Sequence, residues 1–375
     1  MSPPPHLLHV FSNFVPSGPE LRTVALIAAF GAEFRHSIVS MDGRTSAAER
    51  LPPEAAVRLL DNPPKAGSLP TAYRLRKILS RESPDLVLTY SWGAIDAILA
   101  AASLGFRRVV HHEEGFNADE AESFKKRRIY ARRLVLPRAH RVVVPSERLE
   151  RIATGLWRLH PDRVRLIPNG IHLEAYLPAD GHPELRQELG IPATAPVVGS
   201  CGHLRPVKNY LRLLEAAAAV DPRHGLHVLL VGEGEERSVL EARAALPDLA
   251  GRVHLVGYQA DPAPFYRAMD LFALTSDSEQ MPVCLLEAMA SCLPVVATDV
   301  GDVRTMLPPE QASLLTPIAG EGTAARLGQL LEEALADGDL RRRLGQANRR
   351  RVAESYAFES MLSAYRGLYE EAMRA

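Results

Sequence analysis

The chain has 375 residues, 46% of them hydrophobic and 24% charged, with a formal net charge of −1 at pH 7. That length suits two domains with separate cores, and the balanced charge excludes a global field that would gather nucleic acid. Its three cysteines (Cys201, Cys284, Cys292) lack metal-ligand spacing, and the amino terminus lacks a secretory pattern. No apolar run reaches bilayer length, so a cytoplasmic protein with core thiols is expected.

Short β-type runs alternate with helical patterns along most of the chain. Strands are predicted at 7–11, 37–41, 85–90, 108–112, 141–144 and 164–167, with helices near 20–30, 71–81, 93–104, 119–136 and 146–155. Pro168-Asn169-Gly170 and the cluster from Leu177 to Pro183 then read as turn and linker. The alternation restarts with strands at 197–201, 227–231, 253–256, 271–275, 295–297 and 313–315. Beyond about Glu321 the sequence reads as charged helix. This pattern predicts an α/β protein: two Rossmann-like domains, each a parallel sheet covered on both faces, with a cleft between them.

The basic run Lys125-Lys126-Arg127-Arg128, with Arg132, Arg133 and Arg138 after it, is interleaved with Ile129, Leu134 and Val135. A helix over 119–136 with this make-up can lie on an anionic membrane surface. It can equally be a solvated face neutralised by Asp119, Glu120 and Glu122. His111 and His112 end an apolar strand, where a histidine can position a sugar hydroxyl or serve as a hydrogen-bonded structural residue.

In the second half, strand 197–201 leads through a glycine-containing turn to Arg205 and Lys208, just before a helix. Two cations beside a helix amino terminus suit a diphosphate. Gly232, Gly257 and Gly301 follow later strands, where the lack of a side chain lets backbone amides approach a ligand. The Gly232-Glu233-Gly234 turn is only a fragment of a dinucleotide fingerprint. Most informative is Ser276-Asp277-Ser278-Glu279 leading into Met281, Pro282 and a helix that carries Glu287. Glu279 falls in a loop after a strand, where open α/β sheets bind ligands. Glu287 is a carboxylate among Leu285, Leu286, Ala288 and Met289, so it requires a partner.

Taken in order, Ile167-Pro-Asn-Gly-Ile171, Leu204-Arg-Pro-Val-Lys-Asn209, Leu230-Val-Gly-Glu-Gly234 and the stretch from Glu279 to Ala290 resemble the retaining glycosyltransferases of family 4, which have the GT-B fold. The resemblance implies an acceptor-side domain over 1–178, a nucleotide-sugar donor domain over 179–355, and a final helix, about 356–375, packing back on the first. It further implies that Glu279 meets the donor sugar, Glu287 the ribose, and Arg205 with Lys208 the diphosphate. His111 would stand near the reacting sugar, Gly18 near the phosphates and acceptor, and Met281, Pro282, Gly232, Gly257 and Gly301 along the substrate. The expected donor is a UDP- or GDP-sugar, with a carbohydrate or lipid-linked acceptor and no metal or other cofactor. The pathway would build polysaccharide or glycolipid at the inner face of a membrane.

The sequence departs from the family at Gln280, where many members have glycine, and at His203, often arginine. His172 stands where aspartate is common, and the first-domain glycine pair is reduced to Ser17-Gly18-Pro19. These departures keep open a nucleotide-sugar epimerase or hydrolase, or an inactive sugar-nucleotide-binding subunit. An NAD oxidoreductase would rest on Gly232 and Gly234 alone.

Overall fold

A computed structural model describes residues 3–61, 67–115, 125–320 and 322–375. The chain divides into two compact units, residues 1–169 with 361–375, and residues 170–360. Residues 170–178, expected with the first domain, therefore belong to the second.

The first unit is built on seven strands: β1 (His6–Phe11), β2 (Arg35–Ser40), β3 (Val57–Leu60), β4 (Leu86–Tyr90), β5 (Val109–His112), β6 (Arg141–Val144) and β7 (Val164–Leu166). Their spatial order is β3-β2-β1-β4-β5-β6-β7, and every pairing is parallel. The order reverses between β1 and β4, which makes that edge the topological switch point. β3 has no counterpart among the predicted strands. It is a partly exposed edge strand, so its Val-Arg-Leu-Leu sequence shows neither a continuous apolar run nor a clean alternation.

Helices α1 (Gly18–Phe30), α2 (Ser68–Glu82), α3 (Asp96–Ser103), α4 (Lys126–Val135) and α5 (Glu147–Arg151) connect these strands. Leu75 and Leu79 of α2, Ile98 of α3 and Val135 of α4 join one hydrophobic cluster with β-strand residues Leu8, Val10, Val87 and Val142. The beginning of the expected 119–136 helix lies outside the described residues. Within α4, Arg128 and Arg132 are buried, the latter stacked over Trp92 and Trp157, so part of the basic run faces inward.

Buried histidines run through this sheet. His9 hydrogen-bonds Tyr90 Oη at 3.0 Å and His36 Nδ1 at 3.0 Å, and His112 Nε2 lies 3.3 Å from Tyr369 Oη. Tyr369 comes from α14 (Phe358–Met373), whose Tyr365, Leu368, Tyr369 and Ala372 are buried at helical spacing.

The second unit holds six parallel strands in the order β10-β9-β8-β11-β12-β13. They are β8 (Val197–Cys201), β9 (His227–Val231), β10 (Val253–Leu255), β11 (Leu271–Leu274), β12 (Val295–Thr298) and β13 (Leu315–Thr316). Alternate residues feed opposite cores, as strand geometry requires. Val197, Phe272 and Val295 pack with α9 (Ala263–Arg267), α10 (Val283–Ala290) and α13 (Gly338–Ser355). Val198, Leu271 and Val296 pack with α7 (Tyr210–Ala219), α8 (Arg237–Ala244) and α12 (Gly322–Ala336). Helices α6 (Pro183–Glu188) and α11 (Val303–Met306) complete the unit. Here the strand order reverses between β8 and β11.

Candidate active site

At that switch point the loops after β8 and β11 meet. Gly202 has φ 146°, and the chain then makes a single 3-10 turn over Pro206–Lys208 before α7. Asn209 adopts the left-handed conformation (φ 48°), and its side-chain oxygen accepts from Arg212 N at 3.1 Å, capping α7. From this turn Lys208 Nζ reaches Glu279 Oε1 at 2.6 Å, and Ser276 Oγ donates to the same oxygen at 2.7 Å. Burial disfavours the Lys208 charge, but the Glu279 carboxylate outweighs it and raises the ammonium pKa.

A second set of contacts ties the two loops together. Arg212 donates to Thr275 O at 2.8 Å and to Asp277 Oδ1 at 2.6 Å, and Asn209 Nδ2 donates to Asp277 Oδ2 at 3.1 Å. Thr298 Oγ1, from β12, donates to Ser276 O at 2.7 Å. Arg212, Asp277 and Asn209 were not foreseen in the sequence. Their signal was present in the polar residues flanking Lys208 and Glu279, but nothing local indicated that they would pair. Arg205 is exposed, and its side chain makes no hydrogen bond or ion pair among the described residues, which leaves its charge available.

The glycines serve these loops. A Cβ on Gly232 would lie 1.9 Å from Gly202 O, and one on Gly234 would lie 2.4 Å from Leu204 O. The Gly232–Gly234 turn is therefore shaped by the backbone of the β8 loop, which accounts for its glycines without a dinucleotide. Gly301 (φ 60°) lets the turn after β12 press on the Glu279 loop, since a Cβ there would stand 2.2 Å from Glu279 O. Gly257, after β10, accepts from Gly232 N at 2.8 Å beyond the end of β9. Met281 buries its side chain in the core, and Pro282 is buried beside it at the N-cap of α10, which leaves their backbone to line the loop. Gln280 Oε1 is buried with no hydrogen-bond partner among the described residues.

Glu287, one turn into α10, finds its partners in two phenols. Its Oε1 accepts from Tyr176 Oη at 2.8 Å and its Oε2 from Tyr266 Oη at 2.6 Å. Burial raises the carboxyl pKa, and the two phenols offset part of that rise. Neither tyrosine was singled out in the sequence, because both lie far from Glu287 along the chain. Cys201 and Cys284 lie in the same region. Burial pushes the Cys284 thiol up to about 12, so it is an inert core thiol.

In the first unit the sequence-predicted residues fare differently. His111 is fully buried, with Nδ1 2.8 Å from Thr89 Oγ1 and Nε2 3.8 Å from Glu113 Oε2. Glu113 is itself held by Arg132 Nε at 2.9 Å. His111 is thus enclosed by β4 and a buried ion pair and has no exposed surface. Gly18 opens α1, and nothing lies within 4 Å of where its Cβ would be. Nearby, Arg22 donates to Glu114 Oε2 at 3.0 Å and to Asn169 Oδ1 at 2.9 Å, a charged cluster not anticipated from the sequence.

Residues 182–351 match glycosyl transferases group 1, and residues 16–175 match Glycosyltransferase Family 4. The chain belongs to these glycosyltransferases. LpsE, a lipopolysaccharide core biosynthesis glycosyltransferase of Rhizobium meliloti, is 32% identical over 48% of this chain and 51% of its own length. A D-inositol 3-phosphate glycosyltransferase of Nocardia farcinica is 33% identical over 62% of this chain and 53% of its own. The chain thus spans about half the length of the curated relatives it matches. Among solved structures, HepE of Anabaena in complex with UDP superposes with a TM-score of 0.82 at 19% identity, covering 98% of this chain and 100% of HepE. Sucrose-phosphate synthase of Thermosynechococcus elongatus gives 0.79 at 21% identity, covering 98% of each chain. The glycosyltransferase has the GT-B fold.

Proposed function

We propose that this glycosyltransferase moves a sugar from a nucleoside-diphosphate donor to a hydroxyl of a carbohydrate or lipid-linked acceptor. In this reading the anomeric configuration is retained and no metal is required. The observation that carries the reading is the assembly of Lys208, Glu279 and Glu287 at the switch point between β8 and β11. Lys208 and the unpaired Arg205 supply positive charge where the diphosphate departs, which stabilises the transition state more than the ground state. Glu279 accepts from donor-sugar hydroxyls, and Glu287 accepts from the ribose.

A UDP-sugar is favoured as donor, because HepE binds UDP and UDP-glucose in its solved structures. A matched Escherichia coli relative is a UDP-Gal:alpha-D-GlcNAc-diphosphoundecaprenol alpha-1,3-galactosyltransferase, which favours a lipid-diphosphate acceptor. The decisive experiment incubates the protein with a panel of UDP- and GDP-sugars and lipid-linked acceptors, with and without a chelator, and assigns the product anomer by NMR. Donor consumption without any acceptor product would instead support a hydrolase or epimerase.

Peripheral membrane attachment belongs to the same proposal. Among the described residues, no helix is long and apolar enough to cross a membrane. On one face of the first sheet, α4 exposes Lys126, Arg127, Tyr130 and Leu134, and α2 exposes Leu69, Tyr73, Arg76 and Lys77. Cations interleaved with exposed aromatic and aliphatic groups complement an anionic bilayer. Cosedimentation with phosphatidylglycerol vesicles should be lost when Lys126 and Arg127 become glutamate. Unchanged binding in that variant would remove α4 from the reading.

A further inference from the structure

Both oxygens of the Glu287 carboxylate are occupied by phenol hydroxyls, but the two phenols are not equivalent. Tyr266 is fully buried on α9, packs against Phe272 at 5.9 Å, and also directs its hydroxyl toward Cys284 O at 3.3 Å. It is a fixed part of the core. Tyr176 lies outside any helix or strand, just after the single turn Leu173–Ala175, and its side chain keeps solvent-exposed surface. Its backbone is anchored, because Arg349 donates to Tyr176 O at 2.6 Å. Any displacement must therefore come from the side chain, which is only partly buried against the core cluster and meets the Tyr266 ring edge-on at 5.8 Å.

A ribose offers a carboxylate two neighbouring hydroxyl donors, one for each oxygen. The tyrosine pair presents Glu287 with the same thing: two O–H donors, at 2.8 Å and 2.6 Å, one per oxygen. Glu287 would otherwise be a half-buried carboxylate without a partner while the site is empty, at considerable desolvation cost. We propose that the Tyr176 hydroxyl is a placeholder on Glu287 for one ribose hydroxyl, displaced when a nucleotide binds. This rests on the reading of Glu287 as the ribose acceptor and adds a selection rule to it. A nucleotide with both ribose hydroxyls compensates Glu287 for the lost phenol, whereas one lacking them leaves Tyr176 in place.

The chemistry makes Tyr176 a competitor of the ligand rather than a contact to it. Removing its hydroxyl should then strengthen binding, the reverse of what loss of a binding contact does. A gain of about three- to tenfold is the scale expected when a single hydrogen bond to a charged group no longer has to be broken and is partly replaced by water.

The test is calorimetric titration of the full chain with UDP and with 2′,3′-dideoxyuridine diphosphate, using wild type, Tyr176→Phe and Glu287→Gln. The placeholder predicts tighter UDP binding by Tyr176→Phe and no such gain for the dideoxy ligand. Weaker or unchanged UDP binding by a Tyr176→Phe protein of normal melting temperature overturns it. If Glu287→Gln binds UDP as well as wild type, the ribose reading itself fails, a separate outcome. A fluorotyrosine at position 176 gives a second measurement. Its 19F resonance should shift on adding UDP and stay in place with the dideoxy ligand; an unmoved resonance with UDP also overturns the proposal.

Discussion

Lys208 and Glu279 neutralise one another across 2.6 Å, each from a different strand end, so the site holds a cation and its counter-carboxylate in contact before any donor arrives. The pairing orients both groups and keeps Lys208 protonated. It also poses a question that mutation can answer: whether the lysine serves the diphosphate or only the glutamate.

If Lys208 serves the diphosphate, Lys208→Ala should lower kcat about 10²- to 10³-fold. The Lys208→Met, Glu279→Gln double variant, which removes both charges, should recover none of that loss. Recovery of turnover by the double variant in a steady-state transfer assay would show that the lysine merely neutralises Glu279.

Glu287 should make nucleotide binding sensitive to mild acid. Burial raises its carboxyl pKa above the ordinary carboxylate value, so it takes up a proton at a pH where other glutamates stay ionised. A protonated carboxyl accepts more weakly, so UDP affinity should fall as pH drops through that raised pKa. Titrations from pH 7.5 downward should show this loss in wild type, while Glu287→Gln, which cannot titrate, should stay flat.

Gly301→Ala should damage the site from a distance. The new Cβ would meet Glu279 O at 2.2 Å, and φ is 60°, so the loop carrying Glu279 must shift. A destabilisation of about 1–3 kcal/mol with loss of activity is expected. Gly367→Ala, on exposed α14 surface, is the matched control, because its Cβ would meet nothing within 4 Å. Melting temperature and transfer rate of the two variants should diverge sharply.

The buried histidines of the first unit should make it acid-labile. Burial holds His9 and His112 well below the ordinary histidine range and pushes His36 down to about 4. A histidine with a depressed native pKa leaves the unfolded chain binding the extra proton, so stability is lost as pH falls below about 6.5. His36 alone should contribute about 1 kcal/mol of loss per pH unit between that point and its native pKa. Denaturant melts at pH 7.5 and 5.5 should show the decline, and it should be shallower in His36→Gln.

The side-chain cluster of the second unit was more legible in the sequence than the contacts of the first, for reasons that lie in the residues. Lys208, Glu279 and Glu287 stand on a regular strand–loop–helix plan, so their meeting follows from chain order and parallel topology. The partners that fix them do not. Tyr176 and Tyr266 reach Glu287 from 111 and 21 residues away, and Arg212 reaches Asp277 over 65. Those pairings depend on packing, which local pattern does not encode. The burial of His111 was illegible for a related reason. A histidine at the end of a strand can point to a ligand or into a neighbouring strand, and Thr89 on β4 decides for the interior. Strand β3 escaped because an edge strand needs only half a hydrophobic pattern.

The first unit is closed by residues from both extremities of its fold, since Tyr365 and Tyr369 of α14 cover Arg22 and His112. During synthesis, a nascent chain that has emerged only to residue 360 already contains every residue of the second unit, while the first still lacks its covering helix. Elongation thus permits the second unit to mature ahead of the one that precedes it in sequence. Shortening the chain by its last fifteen residues would strike the unit built from its beginning.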